Sequence, residues 1–223
     1  MRAALVSVAC GMAVLCLPAK AEEGFGKTIE QATARGKAIV SITPVFSQLV
    51  RFSFQPGFKP AFQNTQGTSY IQEAVPAGET VERWTQMITL TGAQGYAANP
   101  NIAPASFAGS IALGFKRACP ESFSTKAVGK LKFGEYEGFG ALAACGSVRN
   151  GGYPHSEAAL IISIKGASDY YTIQWAERGP AQGAPAGIDE AKWRERLAKL
   201  NPIKICPRLP GEPAPYPSCA GSN

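Results

Sequence analysis

Apolar positions alternate along the first half of the chain and recur every three or four residues in only a few places. The stretch from Phe46 to Gln55 carries Leu49, Val50, Phe52 and Phe54 and is closed by Pro56-Gly57, which predicts a strand. Phe62 to Gln66 and Ser69 to Val75 predict a second and third strand, paired around Gly67. In VPAGETVERWTQMITLTG, residues 75 to 92, Pro76-Ala77-Gly78 is a turn signal, and Thr80 is placed to cap one helical turn carrying Trp84. From there Trp84, Gln86, Ile88 and Leu90 share one face of a strand, and Thr85, Met87, Thr89 and Thr91 share the other. The first set is mostly apolar, so Trp84 is expected in the core.

Helical periods come later. Gly92 to Pro104 is a loop by composition, and Pro104 suits the first turn of a helix. Phe107, Ile111 and Phe115, with Ala108, Ala112 and Ala118 beside them, form its buried stripe, ended by Cys119-Pro120. Four strands follow as two hairpins. Ser124 to Phe133 pairs with Tyr136 to Val148, and Glu157 to Lys165 pairs with Tyr170 to Glu177 after a loop over Arg149 to His155. The nearly continuous apolar run from Ala158 to Ile164 predicts a central strand covered on both faces.

Residues 179 to 187 connect to a second helix, with Asp189 as N-cap, Ile188 stapled onto Trp193, and Trp193, Leu197 and Leu200 inward. Asn201-Pro202 ends it. The tail from Cys206 to Cys219 carries Pro207, Pro210, Pro213, Pro215 and Pro217, and no regular structure is expected there. Short turns between successive strands imply an antiparallel sheet. The expected class is α+β, with about six to seven strands covered by two main helices.

Composition adds the compartment. Arg2, the apolar run from Ala3 to Leu17, and Ala19-Lys20-Ala21 form the three parts of a secretory signal, with cleavage expected after Ala21. Leu15 before Cys16 is too large for lipoprotein processing, and Cys10 leaves almost no apolar run ahead of it. The expected organisation is a signal over 1–21, an extension over 22–44 with a short helix around Ile29 to Arg35, a single domain over 45–205, and a tail over 206–223. Loss of Arg2 and Lys20 takes the formal charge from +6 to +4. That mild, interspersed excess argues against nucleic acid. No later apolar run is long enough to span a bilayer.

Cys119, Cys145, Cys206 and Cys219 survive cleavage, an even count that in an exported chain reads as two disulfides with three possible pairings. Cys119–Cys145 would join a helix end to the meander, and Cys206–Cys219 would pin the tail. With no CxxC and a single histidine, His155, no zinc set is expected.

The Pro-x-Gly-Glu segment, Trp84 and the alternating strand, followed by a helix, a meander and a terminal helix, resemble the PsbP-like α/β/α sandwich. DYYTIQWAER, Asp169 to Arg178, is similar to the penultimate strand of small exported bacterial proteins of this kind. The resemblance covers about residues 45 to 202, and the cysteine pairs and proline tail depart from it. It implies an accessory or binding role and assigns no residue.

Residue chemistry points the same way. His155, Ser156 and Glu157 are neighbours, but adjacent residues of an extended segment point to opposite sides. Gly138-Phe139-Gly140-Ala141-Leu142-Ala143 matches a loose dinucleotide pattern without a following helix, so no cofactor is expected. Lys126, Lys130 and Lys132 are expected on one strand face, as an edge guard or as a docking surface. Tyr170 and Gln174, with Tyr96 and Tyr153 from Gly-rich loops, are placed to line a shallow pocket, although half-buried tyrosines are common without function. The expected role is an exported, non-catalytic binding or accessory module. It would be monomeric, with an envelope protein or a small ligand as partner. An envelope hydrolase using Glu157 or His155 and an interaction domain using the lysine face are the alternatives.

Overall fold

Short turns dictate the strand order. The computed structural model describes residues 39–148, 153–185 and 187–221; the signal-like start and the helix expected around Ile29 to Arg35 lie outside them. The chain runs β1 (Ile39–Val45), β2 (Gln48–Phe54), β3 (Phe58–Gln66), β4 (Ser69–Pro76), β5 (Gln86–Ala93) and α1 (Pro104–Ala118). It continues with β6 (Phe123–Phe133), β7 (Tyr136–Val148), β8 (His155–Lys165), β9 (Tyr170–Pro180), α2 (Glu190–Leu200), β10 (Lys204–Pro207) and the single turn α3 (Pro217–Ala220). The class is α+β. Seven strands form one antiparallel sheet in the order β3-β4-β5-β9-β8-β7-β6, and β1-β2-β10 form a second.

The second sheet differs from the sequence reading. Phe46 to Gln55 is not one strand: Phe46 and Ser47 are the turn of a hairpin whose first arm, β1, lies largely in the expected 22–44 extension. Pro44 is accommodated opposite Leu49 at that edge. The tail is also partly regular, because Cys206 lies in β10 and pairs with Leu49 of β2.

The main core fills the space between the two sheets. Val50, Phe52 and Phe54 of β2 meet Ile88, Leu90, Ile162, Ile173 and Trp175 of the large sheet, with Trp193 and Leu200 of α2. Asp189 caps α2 by accepting from Lys192 N at 3.1 Å, and Ile188 packs against the same core. Glu177 of β9 receives Lys192 Nζ and Arg196 Nε, each at 2.7 Å, which ties α2 to the sheet. On the opposite face, Ala108 and Ala112 of α1 sit on Ala141, Ala143, Ala159 and Ile161. Small residues on both sides let the helix approach closely. β8 is therefore apolar on both faces, as its continuous run requires.

Both bridges are formed, Cys119–Cys145 and Cys206–Cys219, each with Cα atoms 5.7 Å apart. The first fastens the end of α1 to β7. The second closes the tail over the outer side of β2, where Arg51 Nη1 donates to the carbonyl of Cys219 at 3.1 Å.

A buried carboxylate connects the layers. Asp169, 2% exposed, accepts from Ser47 N at 3.1 Å, Ser47 Oγ at 2.6 Å, Gly95 N at 2.8 Å and Tyr171 Oη at 3.3 Å. Burial raises its pKa, but these hydrogen bonds outweigh burial and hold the carboxyl below its usual value. Beside it, Gln48 Oε1 accepts from Ala167 N, and a Cβ on Gly166 would collide with Gln48 and the Tyr171 ring.

Two outcomes follow from this packing. Asp169→Asn is expected to lower stability by about 2–3 kcal/mol at neutral pH, by weakening a buried charged acceptor. Because the folded carboxyl titrates below its unfolded value, its contribution is full above about pH 4 and fades as pH falls through the folded pKa. Urea denaturation at neutral and acid pH should show the gap between native and variant narrowing in acid, and a constant gap would contradict the linkage. Replacing Cys206 and Cys219 together by serine should cost about 3 kcal/mol, as expected for a loop of this size, read as a lower urea midpoint.

Candidate functional site

The two faces of the large sheet are covered unequally. On one face the small sheet and α2 form the main core; on the other, α1 packs mainly on β7 and β8. Two cross-strand rows run out from under α1 towards the β3 edge. One consists of Ile161, Gln174, Thr89, Glu73 and Phe62; the other of Ser163, Thr172, Thr91, Ile71 and Asn64. Ile161 and Ser163 are fully buried beneath the helix, whereas Gln174, Thr89, Thr91, Glu73 and Ile71 are half-buried and Phe62 is 43% exposed. Strand spacing of about 4.8 Å places the Glu73 to Gln174 positions across roughly 10 Å of open floor.

Hydrogen bonds organise that floor. Thr91 Oγ1 and Thr172 Oγ1 lie 2.6 Å apart, and Gln174 Nε2 donates to Thr172 Oγ1 at 3.4 Å. Glu73 is the one carboxylate in the two rows, and burial raises its pKa. Rings stand at both ends. Tyr170 stacks on Phe107 of α1 with centroids 4.5 Å apart and donates to the carbonyl of Ile102 at 2.5 Å, and Tyr96 meets Phe107 edge-on at 6.3 Å. At the other end the Arg178 guanidinium lies 3.7 Å above the Trp84 ring and donates to Glu157 at 2.9 Å.

The residues singled out from the sequence are only partly brought together. Tyr170 and Gln174 share a face of β9, and Phe107 links Tyr96 to that end. Tyr153, 91% exposed, precedes His155, which pairs with Pro180 at the far end of β9 from Tyr170. Ten strand residues put about 33 Å between those ends, so the four do not line one pocket. Tyr170 is itself fully buried.

Trp84 also departs from expectation. Thr80 Oγ1 accepts from Arg83 N at 3.3 Å, but residues 79–85 form bends rather than a helical turn, and β5 starts at Gln86. Trp84 is half-buried under Arg178 instead of lying in the core. Glu79 explains the difference: its carboxylate takes Thr85 N at 2.6 Å and Thr85 Oγ1 at 2.7 Å, closing a loop that a helix would open.

His155 opens β8 instead of ending a loop; its Nδ1 lies 2.9 Å from the carbonyl of Tyr153 and its Nε2 3.5 Å from Glu157. Glu157 shares its oxygen with Arg178, while Ser156 alternates to the other face of the strand. The three neighbours do not assemble a nucleophile and base. The lysine face is likewise divided. A bulge between Ala127 and Gly129 puts Lys126 opposite Leu142, on the α2 side, where it pairs with Glu190, and puts Lys130 opposite Phe139, on the α1 side. Among the described residues no cluster suited to a metal ion occurs, and no helix is long and apolar enough to cross a membrane.

No known family and no curated protein matches the chain. Among solved structures it is similar to the Saccharomyces cerevisiae Ran-binding protein Mog1p, at 9% identity and a TM-score of 0.38 over 74% of this chain and 86% of that one. It is also similar to LpqN of Mycobacterium tuberculosis, involved in cell envelope biogenesis, at 9% identity and a TM-score of 0.37 over 78% of this chain and 95% of that one. At these scores neither likeness bears on what this protein does.

Trp175 and Trp193 are 2% and 3% exposed, so Trp84 should be the tryptophan reached by acrylamide. Fluorescence quenching is expected to show one accessible component, absent from Trp84→Phe and enhanced in Arg178→Ala. Three equally protected indoles would place Trp84 in the core after all.

Proposed function

We propose that the protein is an exported, non-catalytic binding module whose ligand lies on the open half of the large sheet. The observation that carries this reading is the pair of rows in which Thr89, Thr91, Gln174 and Glu73 stay half-exposed beside Ile71 and Phe62. Hydroxyl and amide groups that both donate and accept, one carboxylate and an exposed ring suit a neutral, hydroxyl-rich ligand such as a glycan segment. The shallow floor suits an extended ligand better than a small enclosed one. Export is supported by the signal-like start and by two disulfides, which persist in oxidising compartments.

Amide NMR with a soluble β-1,4-linked N-acetylglucosamine oligomer as probe tests this. Shifts are expected at Glu73, Thr89, Thr91 and Gln174, with affinity falling about five- to tenfold in Glu73→Ala or Gln174→Ala, the loss of about one hydrogen bond. Unperturbed amides on this face at millimolar oligomer would reject the assignment.

A further inference from the structure

The large sheet has two edges, and they are treated differently. At one edge, β6 carries Lys126, Lys130 and Lys132 together with a bulge, the usual means of discouraging another strand. At the other edge, β3 is exposed from Ala61 to Gln66, and no charged residue lies between Lys59 and Glu73. Its only irregularity is the register shift between Pro60 and Phe62. Phe62 to Gln66 is thus an unguarded, regular segment.

The backbone of that segment is oriented for a partner. Gln66 and Ser69 close the two-residue turn at Gly67 and Thr68, and the closing pair of such a hairpin is hydrogen-bonded. Alternation from there turns Phe62, Asn64 and Gln66 towards β4, and leaves Gln63 and Thr65 with N–H and C=O groups directed outwards. The segment is also symmetric: the turn at Gly67 and the shift at Ala61 lie equally far from Asn64.

We propose that β3 pairs with β3 of a second copy of this chain, antiparallel, about a two-fold axis through Asn64. In that register Gln63 faces Thr65 of the second copy and the reverse, so both outward-facing residues of each strand exchange both of their hydrogen bonds. Asn64 faces Asn64 as the non-hydrogen-bonded pair. The side chains suit self-pairing. The amides of Gln63, Asn64 and Gln66 each donate and accept, so identical groups complement one another where identical charges would repel. The pairing joins the two large sheets edge to edge, and Phe62 of each copy covers the seam on the open face. The monomer expected from the sequence is replaced by a symmetric dimer. This proposal does not rest on the ligand reading: it uses the backbone of the edge and shares with the floor only Phe62 and Asn64, the last members of its two rows.

Sedimentation velocity on the purified, disulfide-bonded protein tests it, from micromolar to millimolar concentration. A reversible monomer–dimer equilibrium is expected, weakened at least tenfold by Asn64→Lys, which sets like charges across the axis. Thr65→Pro, which removes an outward N–H, should weaken it similarly while circular dichroism and melting temperature stay unchanged. Asn64→Cys supplies a second readout. Non-hydrogen-bonded partners have Cα atoms about 4.5 Å apart, within disulfide range, so mild oxidation should give a covalent dimer. A monomer at millimolar concentration, a dimer indifferent to Asn64→Lys, or an Asn64→Cys chain that never crosslinks would each overturn the proposal.

Discussion

A single buried carboxylate holds the two sheets in register. The β1–β2 hairpin turns through Phe46, a bulky residue at φ 51° where glycine or asparagine is the usual choice. That backbone is held because Asp169 takes both the amide and the hydroxyl of the next residue, Ser47. The same carboxylate receives Gly95, just beyond β5, and Tyr171 of β9. The hairpin of the small sheet and the paired β5 and β9 of the large sheet, which share no ladder with it, therefore meet at one group. The charge sits among donors rather than opposite a cation, an arrangement that fixes direction as well as distance.

Everything on the core side follows from that docking. Once the hairpin is set over β5, β8 and β9, Phe52 and Phe54 are buried, β10 completes the small sheet, and α2 closes the remaining side through Trp193, Leu200 and the Glu177 ion pairs. Among the described residues, one helix covers the opposite face. Alanines under α1 allow a tight fit over β7 and β8, and beyond them the sheet meets solvent with threonines, glutamine and glutamate. The asymmetry of the sandwich is thus the origin of the candidate site. It arises from the number of covering elements, not from a special motif.

Local pattern made most elements legible. The alanines of the α1 stripe, the Asp189 cap and the continuous run of β8 each have one simple solution, and the structure adopts it, although Phe107, Ile111 and Phe115 of that stripe stay half-buried. Trp84 was not legible. Its burial depends on Glu79 closing a loop and on Arg178, nearly a hundred residues away, arriving over its ring. The lysine face failed for a related reason: one extra residue at the bulge reverses the parity of everything after it. Period-two counting cannot detect that, although Gly129, at φ 116°, is the residue that permits it. Asp169 gave no signal because a hub of tertiary hydrogen bonds has no periodicity. The open floor was half-visible: the threonines alternating with Ile88 and Leu90 showed a polar face, but only strand order reveals that no described element covers it.

Among the described residues β1 is the first strand in sequence and β10 the last, and the two form the edges of the small sheet. β2 lies between them, buried along its whole length, with Arg51 and Ser53 turned to carbonyls supplied by Cys219 and Asn201. The outer side of β2 consequently has no cover until residues 201–219 reach it. Such long-range closure raises the contact order and slows folding. The small sheet is therefore closed only once residues 204–207 are available to pair with β2, whatever the rest of the domain has already formed.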